Sequence, residues 1–203
     1  MVRGVLFDCG KIRLSGLLAE APGDSAVVVT HPHPLYGGDM ENNVVAAIEK
    51  VFAAAGHATL RFNFRGVGQS GGVHDEGRGE QDDLAAAFDF LLGRGKREIW
   101  LAGYSFGSWV NALASERLGR PPMILVAPPV ALLEFPEGPL PGLKAVAAGQ
   151  HDQFGPPDRV REAAKAWNPA APVLLVPGAD HFFGGSEDAL RRVLETFLSS
   201  RKS

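Results

Sequence analysis

The chain has 203 residues, 45% of them apolar and 21% charged, with a net charge of −3 at pH 7. That length supports one domain, residues 1–203, with a substantial core, and the absence of any block of like charge excludes an obvious nucleic-acid or membrane-surface partner. A lone cysteine, Cys9, excludes an internal disulfide framework. No apolar run approaches the ~20 residues that span a bilayer, and the start of the chain lacks a signal pattern, so the cytoplasm is the expected location.

Val2–Phe7 and Ile12–Leu18 are strand-like runs separated by the turn signal Asp8-Cys9-Gly10. Cys9, near a strand end, reads as a packing residue rather than a reactive thiol. Ala26–Thr30 is an unbroken run that suits a strand buried on both faces. Asn43–Ala55 has helical spacing and ends before Gly56. His57–Phe64 reads as a strand, Gly66–Gly79 as a glycine-rich loop and Glu80–Leu92 as an amphipathic helix. Glu98–Tyr104 is a strand, Phe106–Leu118 a helix, and Met123–Ala127, Lys144–Ala148 and Pro172–Val176 are further strands. Arg159–Trp167 and Glu187–Arg201 are the remaining helices. From residue 26 onward strands and helices alternate. The expected fold is therefore α/β: a doubly wound, mostly parallel sheet of about eight strands with an antiparallel N-terminal edge.

The strand ending at Tyr104 runs into Gly103-Tyr104-Ser105-Phe106-Gly107 and then a helix. A serine hydroxyl becomes a nucleophile when its Oγ projects from a sharp strand-to-helix turn beside a base. Side chains two residues to either side would collide in such a turn, so both positions favour glycine. Phe106 would open the helix, where its amide can hold a developing oxyanion. The base and its orienting group are expected at the C-terminal ends of other parallel strands. Lys144–Ala148 leads into Gly149-Gln150-His151-Asp152, and Pro172–Val176 into Pro177-Gly178-Ala179-Asp180-His181. Asp152 is the candidate orienter and His181 the candidate base. Asp180 adjoins His181, and neighbouring side chains rarely face each other; His151 reads as a residue of the cleft rim.

Thr30-His31-Pro32-His33-Pro34-Leu35-Tyr36-Gly37-Gly38 follows the first buried strand and should supply a second oxyanion amide. Pro32 and Pro34 have no N–H. His33, Leu35 and Tyr36 stay open as donors. His31-x-His33 resembles a metal-ligand pair, but no companion ligand set accompanies it, and neither metal nor cofactor is expected. Gly66-Val67-Gly68-Gln69-Ser70-Gly71 matches a dinucleotide fingerprint. However, residues 72–79 do not read as a helix start, so a structural loop is expected, with Arg65 tying backbone carbonyls.

These segments resemble the α/β-hydrolase superfamily over nearly the whole chain. Gly103–Gly107 resembles its nucleophile elbow. Arg65-Gly66-Val67-Gly68-Gln69-Ser70 is similar to its RGxGxS loop, with Asn63 where an aspartate is more usual. His31–Gly38 departs from the common His-Gly oxyanion motif. Together with Arg61-Phe62-Asn63-Phe64-Arg65-Gly66 and Asp180-His181-Phe182-Phe183, it resembles a small bacterial branch related to dienelactone-hydrolase-like proteins, with Ser105 where dienelactone hydrolases proper have cysteine. The resemblance implies Ser105 as nucleophile, His181 as base and Asp152 as acid. Only sixteen residues, 128 to 143, stand where this family inserts a cap, and five of those after Pro128-Pro129 are Pro or Gly, so no lid domain is expected. The open cleft should be rimmed by Leu35, Tyr36, Phe106, Phe154, Phe182 and Phe183. The expected function is hydrolysis of carboxylic esters or thioesters, by a monomer or homodimer acting on a small acyl substrate. An acyltransferase or peptidase with the same three residues, or a non-catalytic binding protein on the same fold, are the alternatives.

Overall fold

The computed structural model describes residues 2–201. An antiparallel hairpin of β1 (Val2–Cys9) and β2 (Ile12–Ala19) opens the chain, turning through Gly10 at a φ of 58°. β3 (Ser25–Thr30), β4 (Ala58–Phe62), β5 (Glu98–Tyr104), β6 (Met123–Val126), β7 (Leu143–Gly149) and β8 (Val173–Val176) complete one eight-stranded sheet. Its order is β1-β2-β4-β3-β5-β6-β7-β8. β1, β2 and β4 pair antiparallel and all other neighbours pair parallel. The doubly wound sheet with an antiparallel N-terminal edge is as the residue pattern predicts.

Among the described residues five α-helices cover the sheet: α1 (Asn43–Ala54), α2 (Arg78–Leu92), α3 (Phe106–Ala114), α4 (Pro157–Trp167) and α5 (Glu187–Ser199). Period-two alternation divides the central strands between two cores. In β3, Val27 and Val29 join Val44, Ile48 and Phe52 of α1 and Leu190 and Leu194 of α5. Ala26 and Val28 face the other way, toward Leu84 and Leu91 of α2 and Val110 of α3. Each fully buried Val or Leu contributes about 1.5–3 kcal/mol relative to an exposed one. Both faces are therefore closed, which is why β3 reads as a continuous apolar run.

Several boundaries shift for identifiable reasons. α2 begins at Arg78 rather than Glu80. Position 79 takes glycine inside the helix because a Cβ there would run into the Arg65 guanidinium, and the Glu80 carboxylate accepts the Gly77 N–H at 2.8 Å to cap the helix from its N-terminal turn. α3 ends at Ala114, four residues before Leu118. Between β6 and β7 there is no helix or strand, and so no lid. Among the described residues no helix is long and apolar enough to cross a membrane.

Candidate active site

Ser105 stands between the C-terminal end of β5 and the first turn of α3, with φ 53° and ψ −118°. A non-glycine residue there stores about 1–3 kcal/mol of strain, and its surroundings hold it. The Ser105 N–H donates to the Val126 carbonyl of β6 at 2.9 Å. The flanking glycines are steric requirements. A Cβ on Gly103 would lie 2.5 Å from the Gly107 carbonyl oxygen, and one on Gly107 would lie 2.6 Å from both oxygens of Thr30. Buried Asn111 knits the elbow together: its amide nitrogen donates to the Gly107 carbonyl at 3.1 Å and to Thr30 Oγ1 at 3.0 Å, and its oxygen accepts the Gly103 N–H at 3.1 Å.

Ser105 Oγ lies 2.9 Å from His181 Nε2. His181 Nδ1 lies 2.8 Å from Asp152 Oδ2 and 3.0 Å from Oδ1. Asp152 and His181 are both buried. Asp152 Oδ1 also accepts the N–H groups of Phe154 and Gly155, each at 2.8 Å. These bonds fix the direction of the carboxylate. The loops after β7 and β8 can meet because residue 149 is glycine; a Cβ there would collide with the Asp180 carbonyl. The Tyr104 hydroxyl donates to the His181 carbonyl at 3.0 Å, which ties the turn carrying His181 to the elbow. Burial pushes the Tyr104 phenol above its ordinary range, so it remains a donor.

Asp180 has a different task. Its Oδ1 accepts the N–H groups of Phe182 (2.9 Å) and Phe183 (3.1 Å), shaping the turn that carries His181. His151 is exposed, and its N–H donates to the Ala179 carbonyl at 2.8 Å.

The three candidate amides of the His31–Gly38 loop differ in their hydrogen bonding. Leu35 N–H donates to His33 Nδ1 at 3.2 Å and Tyr36 N–H to the His33 carbonyl at 3.1 Å, so both amides are occupied. Among the described residues, the N–H of His33 has no acceptor, and neither has that of Phe106 at the first position of α3. His31 is buried with both ring nitrogens engaged: Nε2 accepts the Phe64 N–H at 3.0 Å, so Nδ1 donates to the Pro32 carbonyl at 2.7 Å. Burial lowers its pKa to about 4. His31 therefore braces the loop as a neutral ring.

A cavity of about 570 Å³ opens over Ser105 and His181. His33 and Tyr36 form one side, Phe154 and Phe182 another, and the segment after β6 closes it with Pro129, Leu132 and Leu133. Among the described residues no Asp, Glu, Lys or Arg lines it. The three residues after β6 were not foreseen, because a lidless connection rich in proline offers no periodic signal. Two expectations about the rim need correction. Phe183 is fully buried in the α1/α5 core, where its φ of 55° turns it inward to pack against Tyr104. Leu35 is 70% exposed and does not line the cavity. Arg65 differs too: its guanidinium pairs with buried Asp83 at 2.8 Å rather than with backbone carbonyls.

No family model matches the chain. An uncharacterised protein of Rickettsia prowazekii is 30% identical across 98% of this chain and 90% of its own length. A serine hydrolase homologue from Coxiella burnetii is 30% identical and superposes with a TM-score of 0.84 over 96% of both chains. A lidless α/β serine hydrolase from Xanthomonas campestris, 29% identical, reaches a TM-score of 0.90 over 98% of this chain and 94% of its own. Fold and uncapped connection thus agree with whole-chain relatives at this level of identity, and the chain belongs to the α/β serine hydrolases without a lid.

Proposed function

We propose that the protein hydrolyses neutral carboxylic esters or thioesters through an acyl-enzyme on Ser105. The reading rests on the unbroken hydrogen-bonded series Ser105–His181–Asp152 at the floor of a cavity without charged side chains. Ser105 Oγ attacks the acyl carbonyl as its proton passes to His181 Nε2, and Asp152 holds the imidazolium. The oxyanion takes the free N–H groups of Phe106 and His33. His181 returns the proton to the leaving alcohol or thiol. It then deprotonates a water that attacks the acyl-enzyme and releases the acid. An apolar, charge-free wall leaves an ionised substrate group without a partner, so neutral acyl and leaving groups are favoured.

A panel of p-nitrophenyl esters from acetyl to octanoyl, matched with thioesters and with an ester bearing a terminal carboxylate, tests this. Neutral esters are expected to turn over, with the carboxylate ester at least about tenfold lower in kcat/KM, a difference of 1.4 kcal/mol. Folded protein that hydrolyses no activated ester or thioester would overturn the proposal.

A further inference from the structure

His33 carries more than its backbone N–H. Its carbonyl accepts the N–H groups of Tyr36 (3.1 Å) and Gly38 (3.0 Å), and its Nδ1 accepts that of Leu35 (3.2 Å). Three amides thus fold back onto one residue, between two prolines that contribute none. A Cβ on Gly38 would collide with the Pro32 carbonyl, so the closure is tight. The His33 ring lies 4.8 Å from those of Tyr36 and Phe106 and 4.9 Å from that of His74. His74 is in turn 5.6 Å from Phe106, the residue whose amide is the other oxyanion donor. Behind it stands Glu80 of α2, fully buried, with Oε1 2.8 Å from His74 Nδ1. Glu80 also accepts the N–H groups of Asp75 (2.9 Å) and Gly77 (2.8 Å), which fix its direction. Glu80, His74, His33 and Phe106 form a continuous brace from the interior of α2 to both proposed donors.

We infer that His33 is a proton-sensitive clasp of the oxyanion loop: its neutral imidazole accepts the Leu35 N–H, and protonation at Nδ1 removes that acceptor and loosens the donor amide.

The inference rests on the hydrolase reading given above. Because Nδ1 accepts, the neutral ring carries its hydrogen on Nε2. Protonation converts Nδ1 into a second donor facing the Leu35 N–H, and the two repel. The titratable groups around the ring are Tyr36 on the same loop, His31 at the end of β3, His74 on the glycine-rich loop and Glu80 on α2; α3 presents Phe106, which carries no charge. Burial, and then His74, hold the His33 pKa below the ordinary histidine range, although Glu80 opposes this. The clasp is therefore closed near neutrality and opens only in acid. His74 and Glu80 are positioning residues here: they fix the ring and touch no reacting atom.

The test compares wild type, His33→Ala, His33→Asn and His74→Phe, with kcat and KM for p-nitrophenyl acetate measured across pH. Circular dichroism checks folding at each pH. In wild type, protonation of His33 should steepen the acid limb of kcat, adding a fall of about tenfold to a single-ionisation curve. His33→Ala should lose about tenfold or more in kcat with little change in KM, since a displaced oxyanion donor acts in the transition state. Asparagine offers a side-chain acceptor to the amide two residues on. His33→Asn should therefore recover most of that loss and show a one-proton limb. His74→Phe keeps the stacking on Phe106 but removes the link to Glu80; the steepening of its acid limb should move to higher pH, because His74 no longer opposes protonation of His33. Wild-type kcat in His33→Ala, or an equally steepened acid limb in His33→Asn, would overturn the clasp while wild-type turnover left the hydrolase reading intact. Wild type without esterase activity would overturn that reading and the clasp with it.

Discussion

Replacing Asp152 by asparagine isolates the orienting role from size and folding. In the native site Oδ1 is held by the N–H groups of Phe154 and Gly155 at 2.8 Å, and Oδ2 faces His181 Nδ1 at 2.8 Å. An asparagine keeps its oxygen on the two backbone donors, because an amide nitrogen there would put donor against donor. Its nitrogen is then forced toward His181 Nδ1. That imidazole must accept at Nδ1 and carry its hydrogen on Nε2, 2.9 Å from Ser105 Oγ, where it cannot take the serine proton. The same substitution in the best-studied serine protease lowers kcat about 10⁴-fold, which corresponds to ~5.4 kcal/mol of barrier. The expected loss here is of that order, with KM changed much less. Asp180→Asn is the control: asparagine retains the acceptor for the Phe182 and Phe183 N–H groups, so its kcat should stay within about threefold of wild type. Steady-state hydrolysis of p-nitrophenyl acetate and circular dichroism measure both. A folded Asp152→Asn with near-native kcat, or a crippled Asp180→Asn, would refute the assignment of the orienter.

Gly107→Ala gains about 1 kcal/mol of helix propensity but brings a methyl to 2.6 Å from both oxygens of Thr30. Overpacking of about 1–3 kcal/mol should win, lowering the melting temperature and slowing acylation; an unchanged melting temperature and rate would contradict the steric account. His31 has a pKa of about 4 in the fold against 6.5 when exposed, so its contribution is fully present above 6.5 and is lost as pH falls through 4. The drop should be about 3 kcal/mol in urea unfolding and should flatten in His31→Gln, whereas parallel curves for the two proteins would refute it. Burial, reinforced by Asp83, pushes the Cys9 thiol up to about 11. Native protein should therefore react with iodoacetamide near pH 8 on the order of a hundredfold more slowly than urea-unfolded protein, and equal rates would contradict this.

The strands and the site at their ends were legible because each had a short-range physical signal. Val27-Val28-Val29 announced a strand covered on both faces, and the glycines at 103 and 107 announced a turn that tolerates no side chain. Asp152 and His181 were readable from their places just after two apolar runs. What escaped depends on geometry that spacing does not encode. Phe182 and Phe183 are adjacent and equally apolar; only the left-handed backbone at Phe183 decides that one lines the cavity and the other fills the core. Leu35, Tyr36 and His33 offer equally good N–H groups on paper, and only the fold of the loop shows that those of Leu35 and Tyr36 are hydrogen-bonded to His33. Arg65 found a buried carboxylate on α2 rather than carbonyls, a partner 18 positions away that no local pattern marks.

The central claim is that Ser105 is the nucleophile, activated by His181. Intact-mass measurement after treatment with a fluorophosphonate, followed by peptide mapping, tests it most directly. The account predicts one adduct per chain, on Ser105, formed by wild type, strongly slowed in His181→Ala and absent in Ser105→Ala. An adduct on another residue, or none on folded wild-type protein, would contradict it.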